Sequence, residues 1–251
     1  MLTTKQQHCL NGIGITAWQI HTSVSAETEI EVPVVEEHIP QQPEQASPTP
    51  QKIDKPAVKI TPQTFDLDDW PKMLQAIDAC TNCALAQSCT RKVPGKGLQQ
   101  ADLMIIGEAP GHDEDLQGIP FVGRAGKLLN KILQAIQLDP NSVYITNILK
   151  CRPPNNRDPH ADEVASCAQF LQAQIKLIQP KVILSVGRIS AQNLLKEHSP
   201  LGRLRDKQHV LPGTDLPLLV TYHPAYLLRN PAEKAKVWHD MKALYRLLNN
   251  E

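Results

Sequence analysis

The chain has 251 residues, 41% of them hydrophobic and 4% aromatic, with 26 basic and 26 acidic side chains. That length suits one sizeable domain plus an appendage, and the apolar fraction is enough for a core; no apolar run approaches the ~20 residues that span a bilayer as a helix. The zero net charge is composite, because residues 1–65 hold 4 basic and 7 acidic side chains and leave 22 and 19 for residues 66–251. A mildly basic body behind an acidic tail permits nucleic-acid binding without demanding it.

The opening "MLTTKQQHCL" lacks the charged region and long apolar stretch of a secretory signal. That points to the cytoplasm, where clustered cysteines more often bind metal than form disulfides. Residues 31–64 are rich in Pro, Gln and Glu and have no aromatic residue. Such a composition buries too little surface to offset chain entropy, so residues 1–65 read as a disordered extension. Within it "CLNGIGITAWQIHT" carries Leu10, Ile13, Ile15 and Trp18. This apolar island, centred on residues 8–20, suits either a loosely docked terminus or a peptide that folds on a partner. It resembles the "LGITQW"-type N-terminal peptide of the psi subunit of the bacterial clamp loader, which implies a clamp-loader component as the partner of residues 1–25.

From residue 66 the pattern is regular. Four short β-rich runs occur at 101–108, 142–149, 181–187 and 216–223. The first is followed by a one-sided stripe of Leu128, Leu129, Ile132, Leu133 and Ile136. The second leads to a helix with Asp158 as N-cap and Pro159 at its first position, carrying Val164, Phe170, Leu171, Ile175 and Ile178. The third leads to "RISAQNLLKE", and a last helix covers about 231–249. Buried strands alternating with helices give an α/β fold, a three-layer α/β/α sandwich around a central four-stranded, mainly parallel sheet. In such sheets ligands bind beyond the carboxyl ends of the strands, here Gly107-Glu108, Asn147, Gly187 and His223. The stretch after the first strand, "GEAPGHDEDLQGIPFVG" (107–123), is glycine-rich, acidic and without lysine, so it reads as a loop unsuited to cradling phosphate.

There are six cysteines. Cys80 and Cys83 form a C-x2-C pair; Cys151 follows a strand end and Cys167 lies in the next helix. Two such pairs make a four-thiolate site for zinc or an iron–sulfur cluster, against the alternative of buried free thiols. Cys9 and Cys89 read as bystanders.

"VPGKG", "ADLMIIGEAPGHDEDLQGIPFVGRAGKLL", "VYITNILKCRPPNNRDP", "GRLR" and "TYHPAYLLRNP" together resemble the family 4, iron–sulfur uracil-DNA glycosylases, from about Cys80 to about residue 245. The resemblance implies one [4Fe–4S] cluster on Cys80, Cys83, Cys151 and Cys167. It further implies a first active-site motif from Gly107 to Asp115, a base-stacking Phe121, a pyrimidine-reading Asn147, a second motif at His223-Pro224, and a DNA-pressing segment from Tyr226 to Arg229. Where better-known uracil glycosylases have an aspartate this chain has Ala109, so the water-placing duty passes to Glu108 or Glu114. No basic, histidine-bearing insertion follows "NNRDP" as in relatives that trap DNA covalently.

Cleaving deoxyuridine's glycosidic bond leaves negative charge on uracil and positive charge on the sugar, after the base has left the stack. A neutral His223 suits the first need by donating to uracil O2. A carboxylate, Glu114 or Glu108, suits the second, with Gly107 and Ala109 allowing close approach to the base. Asn147 matches the N3–H and O4 of uracil, whereas cytosine presents the reverse. Leu227 and Leu228 are candidates to fill the vacated stack, and Arg203, Arg205 and Arg229 to contact phosphates. Neither 107–123 nor 223–229 holds a lysine for a Schiff base with the sugar, so strand cleavage is not expected. The expected protein is a monomeric, monofunctional glycosylase acting on uracil in single- or double-stranded DNA, with no membrane partner. The alternative is a non-catalytic iron–sulfur nucleic-acid-binding or redox-sensing module on the same fold.

Overall fold

The computed structural model describes residue 63 and residues 65–249. The extension with its island at 8–20, and Cys9, lie outside the described residues. Helix α1 (Trp70–Ala79) opens on Asp69, whose carboxylate accepts the Lys72 N–H at 2.8 Å. It ends at Cys80, and a single 3-10 turn, Ala84–Gln87, follows Cys83.

The body is one six-stranded sheet: β1 (Lys96–Gly97), β2 (Leu103–Gly107), β3 (Tyr144–Asn147), β4 (Val182–Val186), β5 (His209–Val210) and β6 (Pro217–Thr221), in the order β1-β3-β2-β4-β6-β5. The four parallel strands, β3, β2, β4 and β6, are those expected from the apolar runs. The two edge strands correct the expected count. β1 pairs antiparallel with β3 and β5 with β6, and each is two residues long, too short for any periodicity to announce.

Alternation along the strands divides the core between two faces. Leu103, Ile105, Ile145, Leu184 and Leu219 pack with α3 (Arg124–Ala135) and α8 (Lys234–Asn249). Met104, Ile106, Tyr144, Ile183 and Val220 pack against α4 (Ala161–Ile178) and α5 (Arg188–Leu195). Helices α3 and α4 lie on opposite faces because the chain leaves β2 to one side for β3, then crosses to β4 on the other. That reversal at β2 is the switch point, where a crevice opens beyond the strand ends. A third cluster joins α1 to α4 through Met73, Ile77, Phe170 and Ala173, with Cys151 and Cys167 in it.

Two local expectations are corrected. The acidic stretch after β2 holds a short helix, α2 (His112–Gln117), with Asp113, Glu114 and Asp115 in its first turn, where the helix dipole favours them. Helix α4 starts at Ala161, not after Asp158: His160 is its cap, and Glu163 reaches back to accept the His160 N–H at 2.8 Å. Asp158 instead pairs with Arg188 at 2.7 Å. The remaining short helices are α6 (Leu201–Arg205) and α7 (Pro224–Arg229). Among the described residues no helix is long and apolar enough to cross a membrane.

Candidate active site

Three side chains expected to act together do meet. Gly107 ends β2 opposite Asn147 at the end of β3. A Cβ on Gly107 would strike Asn147 Oδ1 and come within 3.0 Å of Phe121 Cζ, so only glycine lets the amide and the ring approach this strand end. The Phe121 ring stacks on the His223 imidazole, with centroids 5.6 Å apart and planes at 30°. His223 in turn passes over the end of β4, where a Cβ on Gly187 would sit 3.1 Å from the His223 Cβ.

Each member is held by its own element. Phe121 has a φ of 53°, a left-handed conformation that costs a residue with a side chain on the order of 1–3 kcal/mol and persists only where its surroundings impose it. Glu114 imposes it: Oε1 accepts the N–H groups of Val122 at 3.0 Å and Gly123 at 3.1 Å, pinning the loop to α2. Asn147 is 2% exposed, and its Oδ1 has no hydrogen-bond partner among the described residues. A buried amide oxygen without a partner carries a desolvation cost of about 1–3 kcal/mol that an N–H from a ligand would remove.

His223 caps α7, its Nδ1 accepting the Ala225 N–H at 3.1 Å. This fixes the neutral tautomer with the proton on Nε2. Burial, reinforced by the Arg229 charge and opposed by Glu114, pushes the imidazole down to about 4, so it is uncharged at neutral pH. His223 and Glu108 line one cavity of about 240 Å³ with Ala109, Gly111, Asn156 and Tyr226. Burial, then the Asp158 carboxylate, raises the Glu108 carboxyl to about 7 against the pull of Arg188. Two groups whose environments move their pKa values away from the ordinary, facing one crevice, are the usual mark of a reacting site.

The residues expected to contact DNA divide. Leu228 and Arg229 are exposed on α7, and Arg203 is exposed on α6. Leu227, one position earlier on α7, is 0% exposed in the core beneath the sheet, so it cannot enter a base stack. Neighbouring residues on a helix point ~100° apart, and the sequence does not say which of the two faces inward. Arg205 is also committed elsewhere. Its Nε and one terminal nitrogen grip Asp240 at 2.9 and 2.7 Å, its guanidinium lies 4.8 Å over the Tyr222 ring, and its side chain is 6% exposed. Asp240 also accepts from Thr221 Oγ1 at 2.6 Å, tying the exit of β6 before His223. Breaking such a buried pair from one side costs ~3–5 kcal/mol. Arg205→Ala is therefore expected to unfold at clearly lower denaturant, whereas Arg203→Ala keeps the wild-type midpoint and weakens DNA binding only.

Cys80, Cys83, Cys151 and Cys167 line a single cavity between α1, the exit of β3 and α4. All four are free thiols. One zinc ion would draw its sulfurs to ~2.3 Å from a common point. Among the described residues no three or more His, Cys, Asp or Glu side chains are grouped so as to hold a metal ion, and what the four thiols share is the wall of one cavity. Cys89, read as a bystander, has its thiol against that of Cys151. Lys150, between Asn147 and Cys151, is a fully buried lysine not among the residues expected at the site. Its signal was a charged residue closing an apolar strand run. Its three ammonium protons go to Thr146 Oγ1, Asn147 O and Gln174 Oε1 at 2.7–2.8 Å, so it is no free amine.

The family model of the uracil DNA glycosylase superfamily matches residues 94–242. Type-4 uracil-DNA glycosylase of Archaeoglobus fulgidus is 41% identical over 187 residues, covering 72% of this chain and 92% of the relative. That of Sulfurisphaera tokodaii is 40% identical over 188 residues, covering 72% and 86%. Type-5 uracil-DNA glycosylase of Pyrobaculum aerophilum matches more weakly, at 28% over 152 residues. With the switch-point crevice, the meeting of Asn147, Phe121 and His223, and the four thiols around one cavity, these matches establish that the chain belongs to the type-4 branch of the uracil DNA glycosylase superfamily.

Proposed function

We propose that the protein releases uracil from DNA by hydrolysing the glycosidic bond of a swung-out deoxyuridine, leaving an abasic site. The observation that carries this reading is an uncharged His223, its Nδ1 engaged and its proton on Nε2, sharing one cavity with Glu108, while Asn147, opposite Gly107 at the neighbouring strand end, keeps an Oδ1 without a partner among the described residues. Uracil N3–H fits that oxygen and uracil O4 the amide nitrogen, while cytosine would face both with like groups. Phe121 supplies the platform; stacking of this kind is worth ~1–3 kcal/mol per base. As the C1′–N1 bond breaks, its electron pair passes to the ring, and His223 stabilises the resulting charge at O2. Water adds to C1′, its proton passing to Glu108, which as a carboxylate also favours the cationic sugar. Glu114 is the less suited carboxylate, since Oε1 already holds the Phe121 loop. Arg203, Leu228 and Arg229 are the residues exposed to meet the DNA.

Cys80, Cys83, Cys151 and Cys167 suit one [4Fe–4S] cluster, which when bound supplies iron–thiolate bonds joining α1 to the β3 exit and α4. The enzyme would work as a monomer in the cytoplasm. A labelled oligonucleotide containing one deoxyuridine tests the reading: the expected products are free uracil and an alkali-labile abasic site without strand cleavage. No release by the wild type would leave the binding or sensing module standing.

The raised Glu108 carboxyl gives a pH profile. Below about 7 Glu108 is protonated and cannot take the water's proton, so the rate of bond cleavage is expected to climb as pH rises through about 7. His223 is already neutral there and adds no acid limb until about 4. Glu108→Gln is expected to abolish the climb; a climb that survives it sinks the assignment. The sign for stability is opposite. A carboxyl raised by folding favours the fold at low pH and loses that contribution as pH rises through about 7.

A further inference from the structure

Asn147 reads the base in the function proposed above, yet among the described residues nothing holds its amide oxygen. Its orientation therefore depends on close packing against Gly107 and Phe121 and on how its backbone is fixed. On one side the backbone is fixed by the sheet, where Ile148 N–H donates to Gly107 O at 3.0 Å. On the other, the Asn147 carbonyl accepts not from a strand but from the Lys150 ammonium at 2.8 Å. Lys150 is a long side chain folded back over the three residues before it, 2% exposed, and locked by two further acceptors, Thr146 Oγ1 and Gln174 Oε1. Gln174 is anchored in turn by donating to Pro94 O at 2.7 Å and Tyr144 Oη at 3.2 Å. From the cysteine side, the Lys150 N–H donates to Cys167 Sγ at 3.3 Å. The same residue is thus tied at its backbone to the thiol cavity and at its ammonium to the base-reading strand end.

We propose that Lys150 is a positioning residue for uracil recognition, its ammonium holding the end of β3 so that the Asn147 amide meets the base in register. It touches no substrate and acts only through Asn147. A charge-assisted bond is used because a neutral donor would leave one of three buried acceptors unpaired, and the ammonium has a proton for each. A lysine is suited because its stem spans from residue 150 back to the carbonyl of residue 147 without any loop.

A double-mutant cycle distinguishes positioning from general support of the fold, because residues acting as one unit are not additive. The proposal rests on the reading of Asn147, and the cycle reports that reading separately. Single-turnover uracil release is measured for the wild type, Lys150→Met, Asn147→Ala and the double variant, with substrate held saturating so that loss in the chemical step is seen apart from binding. In the wild-type background Lys150→Met is expected to slow release roughly tenfold or more. In the Asn147→Ala background the same change is expected to slow it less than about twofold. Equal losses in both backgrounds overturn the positioning role while leaving Asn147 intact as the reader. An Asn147→Ala enzyme as fast as the wild type overturns the reading of Asn147 itself. Should Lys150→Met fail to fold, Lys150→Gln, which keeps two N–H donors without the charge, enters the same cycle with the same two decisive outcomes.

Discussion

Replacing His223 with alanine is expected to lower the rate of uracil release by about 10²–10³-fold, the usual cost of removing one donor aimed at a developing anion. Binding of uracil-containing DNA is expected to change little, because the donor matters most once charge has moved onto the base. The geometry supplies a control. His223 also caps α7 through Nδ1, so alanine leaves the Ala225 N–H without its acceptor and costs the fold ~1 kcal/mol. Aspartate at this position can restore the cap but offers no donor and adds repulsion to the departing anion. His223→Asp is therefore expected to regain stability and remain inactive. If activity follows stability across the two variants, the imidazole is a structural cap and nothing more.

The second large effect concerns the thiols. Cys83 and Cys151 are separated by about 70 residues of chain, and the four cysteines line one cavity between α1, the exit of β3 and α4, so the proposed cluster on them would cross-link those elements. Closing a loop of that length by a cross-link is worth roughly 4 kcal/mol on the chain-entropy relation. Cys167→Ala is expected to lower the melting temperature by ~10 °C for a domain of this size. The readout is unfolding together with iron and sulfide content, not turnover. The same cavity lies next to the site through Ala109, which packs on the apolar cluster of Cys151 and Cys167 while lining the cavity of His223 and Glu108. Loss of the cross-link is thus expected to loosen that wall as well. A variant with no bound iron and an unchanged melting temperature removes the structural role assigned to the four thiols.

Much of this protein is legible in its sequence because the relevant signals are local. The four parallel strands fall in short, mostly apolar runs, and α3 is a clean stripe with Arg124, Lys127 and Lys131 on its outer face. The chemistry of the site is legible for a related reason. In a parallel sheet the strand ends are the only places where polar side chains gather at a common edge, so Glu108, Asn147 and His223 announce themselves by following apolar runs. The two-residue strands β1 and β5 carry no such pattern, and only their partners β3 and β6 define them.

Where side chains spend their hydrogen bonds is a different kind of fact. Arg203 and Arg205 are alike in sequence, but Arg205 meets Asp240, 35 residues away on α8, and is buried in that pairing, whereas Arg203 is exposed. Leu227 and Leu228 differ by which side of α7 faces the sheet. Glu114 clamps a loop eight residues on while Glu108 faces the cavity, a choice made by the short helix α2. Lys150 would pass for a surface charge until Gln174 and Thr146 are seen around it. The sequence by itself determined the parallel sheet, its order of helices and the residues at its carboxyl edge, since periodicity and composition act over a few neighbours. Tertiary structure decided which of those residues are free to act, since a charge or an amide is committed by partners that chain order leaves far apart.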